Sequence, residues 1–394
     1  MPSHICLISN RHWIYDGRVI NQARALVGAG YRVTIADMGR PADWYRSART
    51  EAVSPTEFLP AGTTVKRIED LGADLPMVVR NFIRKQLRWF LAAGRTRQLA
   101  AIRADVYQAP DLVNARYAQR AARSVGARFV YDIRDLYSAE WEGADLSRSR
   151  RRGIVQEADL VRRADACLTV SPGLARMIEQ RYPSRHAHVV RSCRDPVPVG
   201  ESGRDVRRAL NLDPNTPLLV HTGHSVREKG VTQQVHLVRE LPDVHLAMVG
   251  QQLGLDDVED AATRTQVRAR VHVLPTVPAP EVPSFIRTAD AAVIYMPPES
   301  ANARYALPNK FFEAVAAGLP LAISDGEEFR PLVQQFGMGV VFDPIDPKSA
   351  LDAVIAVLRD NQRYRNAMRV AREHLSWRNE SVAYVQVYES LHAL

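Results

Sequence analysis

Short apolar segments alternate with helical stretches along almost the whole chain, and this alternation restricts the fold more than any other feature of the sequence. It begins with His4-Ile5-Cys6-Leu7-Ile8 and passes through a polar loop at 9–17. A helix is expected over 19–27, ending at Gly28-Ala29-Gly30, before Arg32-Val33-Thr34-Ile35-Ala36 starts a second strand. A strand–helix–strand unit of this span joins parallel strands by a right-handed crossover. Further strands are expected at 65–68, 105–107, 128–131, 166–170 and 187–190, most of them separated by helices.

The pattern pauses at Val190-Arg191-Ser192-Cys193-Arg194-Asp195-Pro196-Val197-Pro198, whose prolines and polar run suit a crossing between domains. It then restarts, with strands expected at 218–221, 245–249, 271–274, 291–295, 320–323 and 339–342. Helices are expected at 231–239, 282–288, 309–317 and 347–359. Each half therefore reads as an α/β domain built on a doubly wound parallel sheet, with ligands expected at the carboxyl ends of the strands. The expected division is 1–195, 196–375 and a C-terminal helix, 376–394, that packs back toward the first domain. The tail is read as helical at 364–375 and 379–391, with Val382, Tyr384, Val385, Val387, Tyr388 and Leu391 on one broad face. That face suits an ordinary docked helix or a bridge across both domains.

At 394 residues, 46% hydrophobic and 24% charged, the chain can fill two full cores. No apolar run approaches the roughly 20 residues that cross a bilayer, and MPSHICLISN lacks the pattern of a secretory leader. A cytoplasmic location follows as an expectation. Cys6, Cys167 and Cys193 lie far apart and form neither a disulfide framework nor a metal knuckle. The net charge of +8 is unevenly spread: residues 1–195 carry 32 Lys and Arg against 20 Asp and Glu, and residues 196–394 carry 20 against 24. The positive run at 80–103, with Arg84, Lys85, Arg88, Arg95, Arg97 and Arg103, contains no acidic residue. It suits a solvated helix packed through Phe82, Leu87 and Phe90, an anionic membrane surface at the inner face of the membrane, or an anionic acceptor. It lacks the interspersed exposed aromatics of a nucleic-acid binder, so no nucleic acid is expected.

Two stretches carry the chemistry. Pro308-Asn309-Lys310-Phe311-Phe312-Glu313 opens a helix at a proline and places Glu313 in its second turn, before Gly318 ends it. A carboxylate there can accept hydrogen bonds from a vicinal diol such as a ribose, while Asn309 and Lys310 stand at the positive helix end, suited to a phosphate. His221-Thr222-Gly223-His224-Ser225-Val226-Arg227-Glu228-Lys229-Gly230 leaves a strand and enters a helix. Its glycines let backbone approach a ligand, and Arg227 and Lys229 can neutralise a diphosphate. It is not a P-loop. His186-x-His188 has no third ligand nearby, and no metal site is expected.

Together these stretches resemble the retaining family 4 glycosyltransferases of the GT-B fold, in a bacterial branch with a PNK-x-FE motif. Gly223, Lys229 and Gly230 match the family's Gly-Arg-x-x-x-x-Lys-Gly, with His224 in place of its Arg. Glu313 matches the second Glu of its E-x7-E element, and Tyr305 stands where the first would be. Asp16-Gly17-Arg18-Val19 is similar to the family's first loop and helix, and Ser376-Trp377 precedes a terminal helix as in relatives. Asp105-Val106-Tyr107-Gln108-Ala109-Pro110-Asp111 is similar to Asp-Val-x-His-x-His-Asp, with Gln108 and Pro110 at the histidine positions. Tyr131-Asp132-Ile133-Arg134-Asp135 is similar to Tyr-Asp-x-His-Glu.

The resemblance implies two Rossmann-like domains facing each other across a cleft. It implies transfer of a sugar, with retention, from a UDP or dTDP sugar to a cell-envelope, polysaccharide or secondary-metabolite acceptor. No metal and no permanently bound cofactor would be required. Donor binding falls to Gly17, Gly223, His224, Lys229, Pro308, Asn309, Lys310 and Glu313, and the acceptor side to Asp16, Arg18, Arg134 and Asp135. Lys229 and Arg227 would receive the charge that develops on the leaving diphosphate. With Pro110 offering no polar side chain, a first-domain contact falls to Asp111, Arg134 or Asp135. The departures at Pro110 and Tyr305 also suit an inactive nucleotide-sugar-binding protein on the same scaffold.

Overall fold

A computed structural model of the chain describes residues 3–39, 53–69, 88–140, 147–198, 203–223, 230–250, 255–296 and 300–393. These form two compact units, the described residues of 3–39, 53–190 and 381–393 in one and those of 191–380 in the other. The division falls at Val190, within the polar run that the sequence marks and a few residues before its expected place at 195.

The first unit is built on β1 (His4–Ser9), β2 (Arg32–Asp37), β3 (Thr63–Arg67), β4 (Val106–Pro110), β5 (Arg128–Ile133), β6 (Ala166–Thr169) and β7 (Ala187–Val189). They run in the order β3-β2-β1-β4-β5-β6-β7, with every pair parallel. The central strands β1 and β4 are buried along their whole length, as sheets covered on both faces require. β4 extends beyond its expected end at Tyr107 through Gln108, Ala109 and Pro110, because all three are buried and Pro110 sits in register with Asp132 of β5. The proline ends the strand and gives the ladder no N–H of its own. Three helices of this unit matter below: α1 (Gly17–Gly28), α2 (Arg88–Ala100) and α3 (Leu112–Val125).

The second unit carries β8 (Leu218–Thr222), β9 (His245–Val249), β10 (Val271–Leu274), β11 (Ala291–Ile294), β12 (Leu321–Ser324) and β13 (Gly339–Phe342). Their order is β10-β9-β8-β11-β12-β13, again parallel throughout. The alternation of β8 divides its side chains between two cores: Leu218 and Val220 pack with Phe311, Phe312 and Val315, and Leu219 with Val231 and Val235. These apolar partners belong to α4 (Val231–Glu240) and α5 (Asn309–Ala317). The chain thus folds as two Rossmann-like domains. In each, the strand order reverses beside the first strand, between β1 and β4 and between β8 and β11, where doubly wound sheets open their ligand crevice.

The terminal helix α6 (Trp377–Ala393) begins two residues before its expected start at Asn379. Its residues through Glu380 belong to the second unit and those from Ser381 to the first. Tyr384, Val387, Tyr388 and Leu391 are buried, whereas Val382 is 59% exposed, so the apolar face is narrower than the sequence implies. All three cysteines are buried and unpaired by disulfides.

Candidate functional site

In the second unit the carboxyl end of β8 meets the start of α5. Pro308 is the N-cap residue of this helix and Gly318 ends it in the left-handed conformation, at φ 72°. Phe311 and Phe312 are fully buried, with their rings edge to face at a centroid separation of 5.1 Å. Their packing fixes the rotation of the helix and leaves Asn309 and Lys310 half-buried at its first turn. One turn further, Glu313 is 8% exposed and accepts a hydrogen bond from Thr222 Oγ1 at 2.7 Å through Oε2. Thr222 ends β8 and precedes Gly223. The structure therefore brings Gly223 and the Asn309–Glu313 turn together at the point where the strand order reverses.

Glycines bracket the segment that follows. Gly223 has φ 106° and donates its N–H to the Val249 carbonyl at 2.9 Å. Gly250 lies against it so closely that a Cβ would stand 2.2 Å from the Gly223 carbonyl oxygen. Gly230, at φ 63°, starts α4, and a Cβ there would stand 2.2 Å from the ring of Tyr295. Gly223 is needed for its backbone conformation, and Gly230 for both conformation and space. His224, Arg227 and Lys229 lie between them, outside the described residues.

In the first unit, side chains from three strand ends converge. Asp16 caps α1, accepting from Val19 N at 3.3 Å and from Ser9 Oγ at 3.1 Å. Arg134, just past β5, donates from Nη1 to Asp16 at 3.3 Å and from Nε to Asp132 at 3.4 Å. Arg18 forms a bidentate pair with Asp132, at 2.9 and 2.8 Å, and donates to the Val190 carbonyl at 2.6 Å. Gly17, also buried, is the first residue of α1. Burial raises the carboxyl pKa of Asp132, but the two guanidiniums outweigh it and bring the value down to about 2. Burial likewise opposes the charge on Arg134, and Asp16, Asp132 and Asp111 together raise its pKa above the ordinary value. Asp16 is also lowered, its burial being more than offset by Arg134 and Arg11.

Of the residues assigned to the acceptor side, Arg18 is 1% exposed and committed to these partners, so a direct ligand contact would require it to leave them. Arg134 is half-buried and Asp135 exposed. Asp111 directly follows β4, facing Asn10, whose amide donates to its carboxylate. Gln108 is 2% exposed and serves the core: Tyr384 donates to its Oε1 at 2.9 Å, Tyr388 donates to the same oxygen, and its Nε2 donates to Gln22 at 2.9 Å. Thr222, Asn10 and Asp132 were not singled out as site residues from the sequence. The first two are polar residues at the end of an apolar strand, which is the signal that could have found them. Glu157 gave no such signal, yet its buried carboxylate accepts from the Tyr137 and Ser138 N–H groups at 2.8 and 2.9 Å and so fixes the chain beyond Asp135.

Among the described residues, no cluster of three or more His, Cys, Asp or Glu could hold a metal, and no helix is long and apolar enough to cross a membrane. Residues 80–87 of the basic run lie outside the described residues. Residues 88–100 of it form α2, where Arg95 lies 5.7 Å from the centroid of the Tyr117 ring on α3.

Residues 18–196 match the family described as Glycosyltransferase Family 4, and residues 203–374 match Glycosyl transferases group 1. A D-inositol 3-phosphate glycosyltransferase of Xylanimonas cellulosilytica is 28% identical over 202 residues, which cover 49% of this chain and 47% of that relative. The chain thus spans about half the length of the curated relative it matches. Sucrose-phosphate synthase from Thermosynechococcus elongatus has a similar fold, with a TM-score of 0.74 at 17% identity and all of both chains covered. Alr3699/HepE of Anabaena, in complex with UDP and glucose, has a TM-score of 0.72 at 15% identity, again over all of both chains. With both halves matched and the strand order of both sheets in hand, the chain belongs to the GT-B glycosyltransferase superfamily.

Proposed function

We propose that the protein is a retaining glycosyltransferase that moves a sugar from a UDP or dTDP sugar to a cell-envelope, polysaccharide or secondary-metabolite acceptor. The observation that carries this reading is Glu313, held by Thr222 at the strand-order reversal of the second sheet. A buried carboxylate in that place can bind both hydroxyls of a nucleotide ribose through charge-assisted hydrogen bonds. The adjacent loop supplies Lys229 and Arg227 as neutralising charges for the diphosphate, with Gly223 giving the backbone room to approach. Negative charge grows on the leaving phosphate oxygen as the anomeric bond breaks, and a fixed cation there favours the transition state over the ground state. Transfer on the same face of the sugar needs no protein nucleophile.

The UDP and glucose in the Anabaena structure support the choice of donor class, and the inositol phosphate in the name of the Xylanimonas relative supports an anionic acceptor. This reading locates the protein in the cytoplasm, at the inner face of the membrane through residues 80–103. Thermal melting against a panel of UDP, dTDP and GDP sugars tests it. A ligand at 100 times its Kd stabilises by about 2.7 kcal/mol, enough for a clear upward shift with the true donor. Retention is then read from the anomeric configuration of the product. Binding of a nucleotide sugar with neither transfer nor hydrolysis would favour the inactive binding protein that Pro110 and Tyr305 suggest, and no shift with any donor would overturn the proposal.

A further inference from the structure

In the first sheet the chain passes from β3 across to β4 and on through β5 to β6. Right-handed connections along that path set α2, α3 and the helix Arg148–Arg163 on one face of the sheet, with α3 packed between the other two. In turn they carry three, three and six arginines, and their acids are Glu157 and Asp159 alone. Both acids are occupied. Glu157 is buried and accepts from the Tyr137 and Ser138 N–H groups, and Asp159 pairs with Arg163 at 2.8 Å. The whole chain has 52 Lys and Arg against 44 Asp and Glu, so the excess is local. A preference for arginine over lysine sets which base is used and leaves the balance of bases over acids untouched.

These arginines line the solvent side. On α3, Val113, Arg116, Arg120 and Arg123 recur every three or four residues, and on the neighbouring helix Arg148, Arg152, Val155 and Arg162 follow the same period. Arg120, Arg123, Arg148, Arg150, Arg152 and Arg162 are exposed and, among the described residues, pair with no acid. Folding does not account for them. Arg148, Arg150, Arg151 and Arg152 crowd the start of a helix that has no acid in its first turn, where the helix dipole opposes positive charge. An anionic partner outside the chain offsets that repulsion.

The charge runs along roughly 20 Å of adjacent helices and does not converge on one point, which suits an array of anions better than a single phosphate. Val155 and Val113, 67% and 53% exposed, stand among the arginines. A soluble polyanion offers such side chains nothing, whereas the headgroup layer of a bilayer takes arginine and valine together. We infer that this face docks on an anionic bilayer, through the helix Arg148–Arg163 and α3 more than through residues 80–103. The inference rests on the membrane placement proposed above and carries the contact beyond that stretch.

Co-sedimentation of the full chain with phosphatidylcholine vesicles, with and without about 30% phosphatidylglycerol, tests this. Wild type should pellet with the anionic vesicles, not with the neutral ones, and less at high salt. Arg148→Ser/Arg150→Ser/Arg152→Ser should weaken that binding about 100-fold, with UDP affinity kept. Its melting temperature should stay level or rise, because repulsion at the helix start is relieved. Lysine at the same three positions should bind vesicles nearly as wild type does, and Val155→Ser should weaken binding severalfold. Arg84→Ser/Lys85→Ser/Arg88→Ser should lose less than the first variant. A larger loss there returns the contact to residues 80–88, overturning this inference while the membrane placement stands. Undiminished binding in the first variant, or lysines no better than serines, also overturns it. So does tighter binding of polyphosphate or DNA than of anionic vesicles, which makes the partner a soluble polyanion. A wild type that ignores both vesicles removes the inference and the membrane placement together, and UDP titration of the same samples decides the donor reading separately.

Discussion

Asp132 is the carboxylate on which the first unit's polar interior depends. It is fully buried between two guanidiniums, and without it the buried Arg18 loses its carboxylate partner while Arg134 keeps only Asp16. Breaking such a pair from one side costs about 3–5 kcal/mol, so Asp132→Asn should lower stability by that order in denaturant unfolding. The same group sets an acid limit. Its native carboxyl, at about 2, binds a proton less readily than the unfolded one, near 3.8. The stabilisation is therefore complete above about pH 4 and is lost as pH falls toward about 2. Unfolding measured from pH 5 downward should show this loss in wild type and much less of it in Asp132→Asn. A surface-like tolerance of the substitution would contradict the geometry. Asp132 could be read in the sequence as part of a motif, but not as the hub of two arginines. Its partners come from residues 18 and 134, and only the folded sheet sets them side by side.

At the scale of elements, helices and strands were legible because their apolar periodicity is regular, and α5 matches its expected bounds at both ends. The misplacements have local causes. β4 runs on to Pro110 because tertiary burial outweighs the usual exclusion of proline from strands, and α6 exposes Val382 because only part of its broad apolar face finds a partner. Gln108 stands at a histidine position of the motif, yet α6 claims it: Tyr384 and Tyr388 both donate to its carbonyl oxygen. No sequence pattern links residues so far apart. A Tyr384→Phe/Tyr388→Phe double variant leaves that buried oxygen without a donor, which costs about 1–3 kcal/mol. The loss should appear as a lower melting temperature, and Gln108→Leu in the double-variant background should recover part of it. No effect of the double variant would mean that the network adds nothing to the anchoring of this helix.

For the whole molecule, two sheets share the same reversal of strand order but set different kinds of residue beside it. The second unit offers a carboxylate, glycines and a basic loop, and the first offers a cluster in which Arg18 and Arg134 face Asp16, Asp132 and Asp111. The second was the more legible, since Glu313, Gly223 and the Lys229 loop lie in two short stretches. The first draws on Asn10, Asp16, Asp111 and Arg134, spread over more than a hundred residues. The central claim is that Glu313 holds the nucleotide of a sugar donor, and calorimetric titration of UDP into wild type and Glu313→Ala tests it most directly. Loss of charge-assisted hydrogen bonds worth about 1.5–3 kcal/mol should weaken UDP by roughly 10- to 150-fold in a variant that stays folded. Equal affinity of the two proteins for UDP would contradict it.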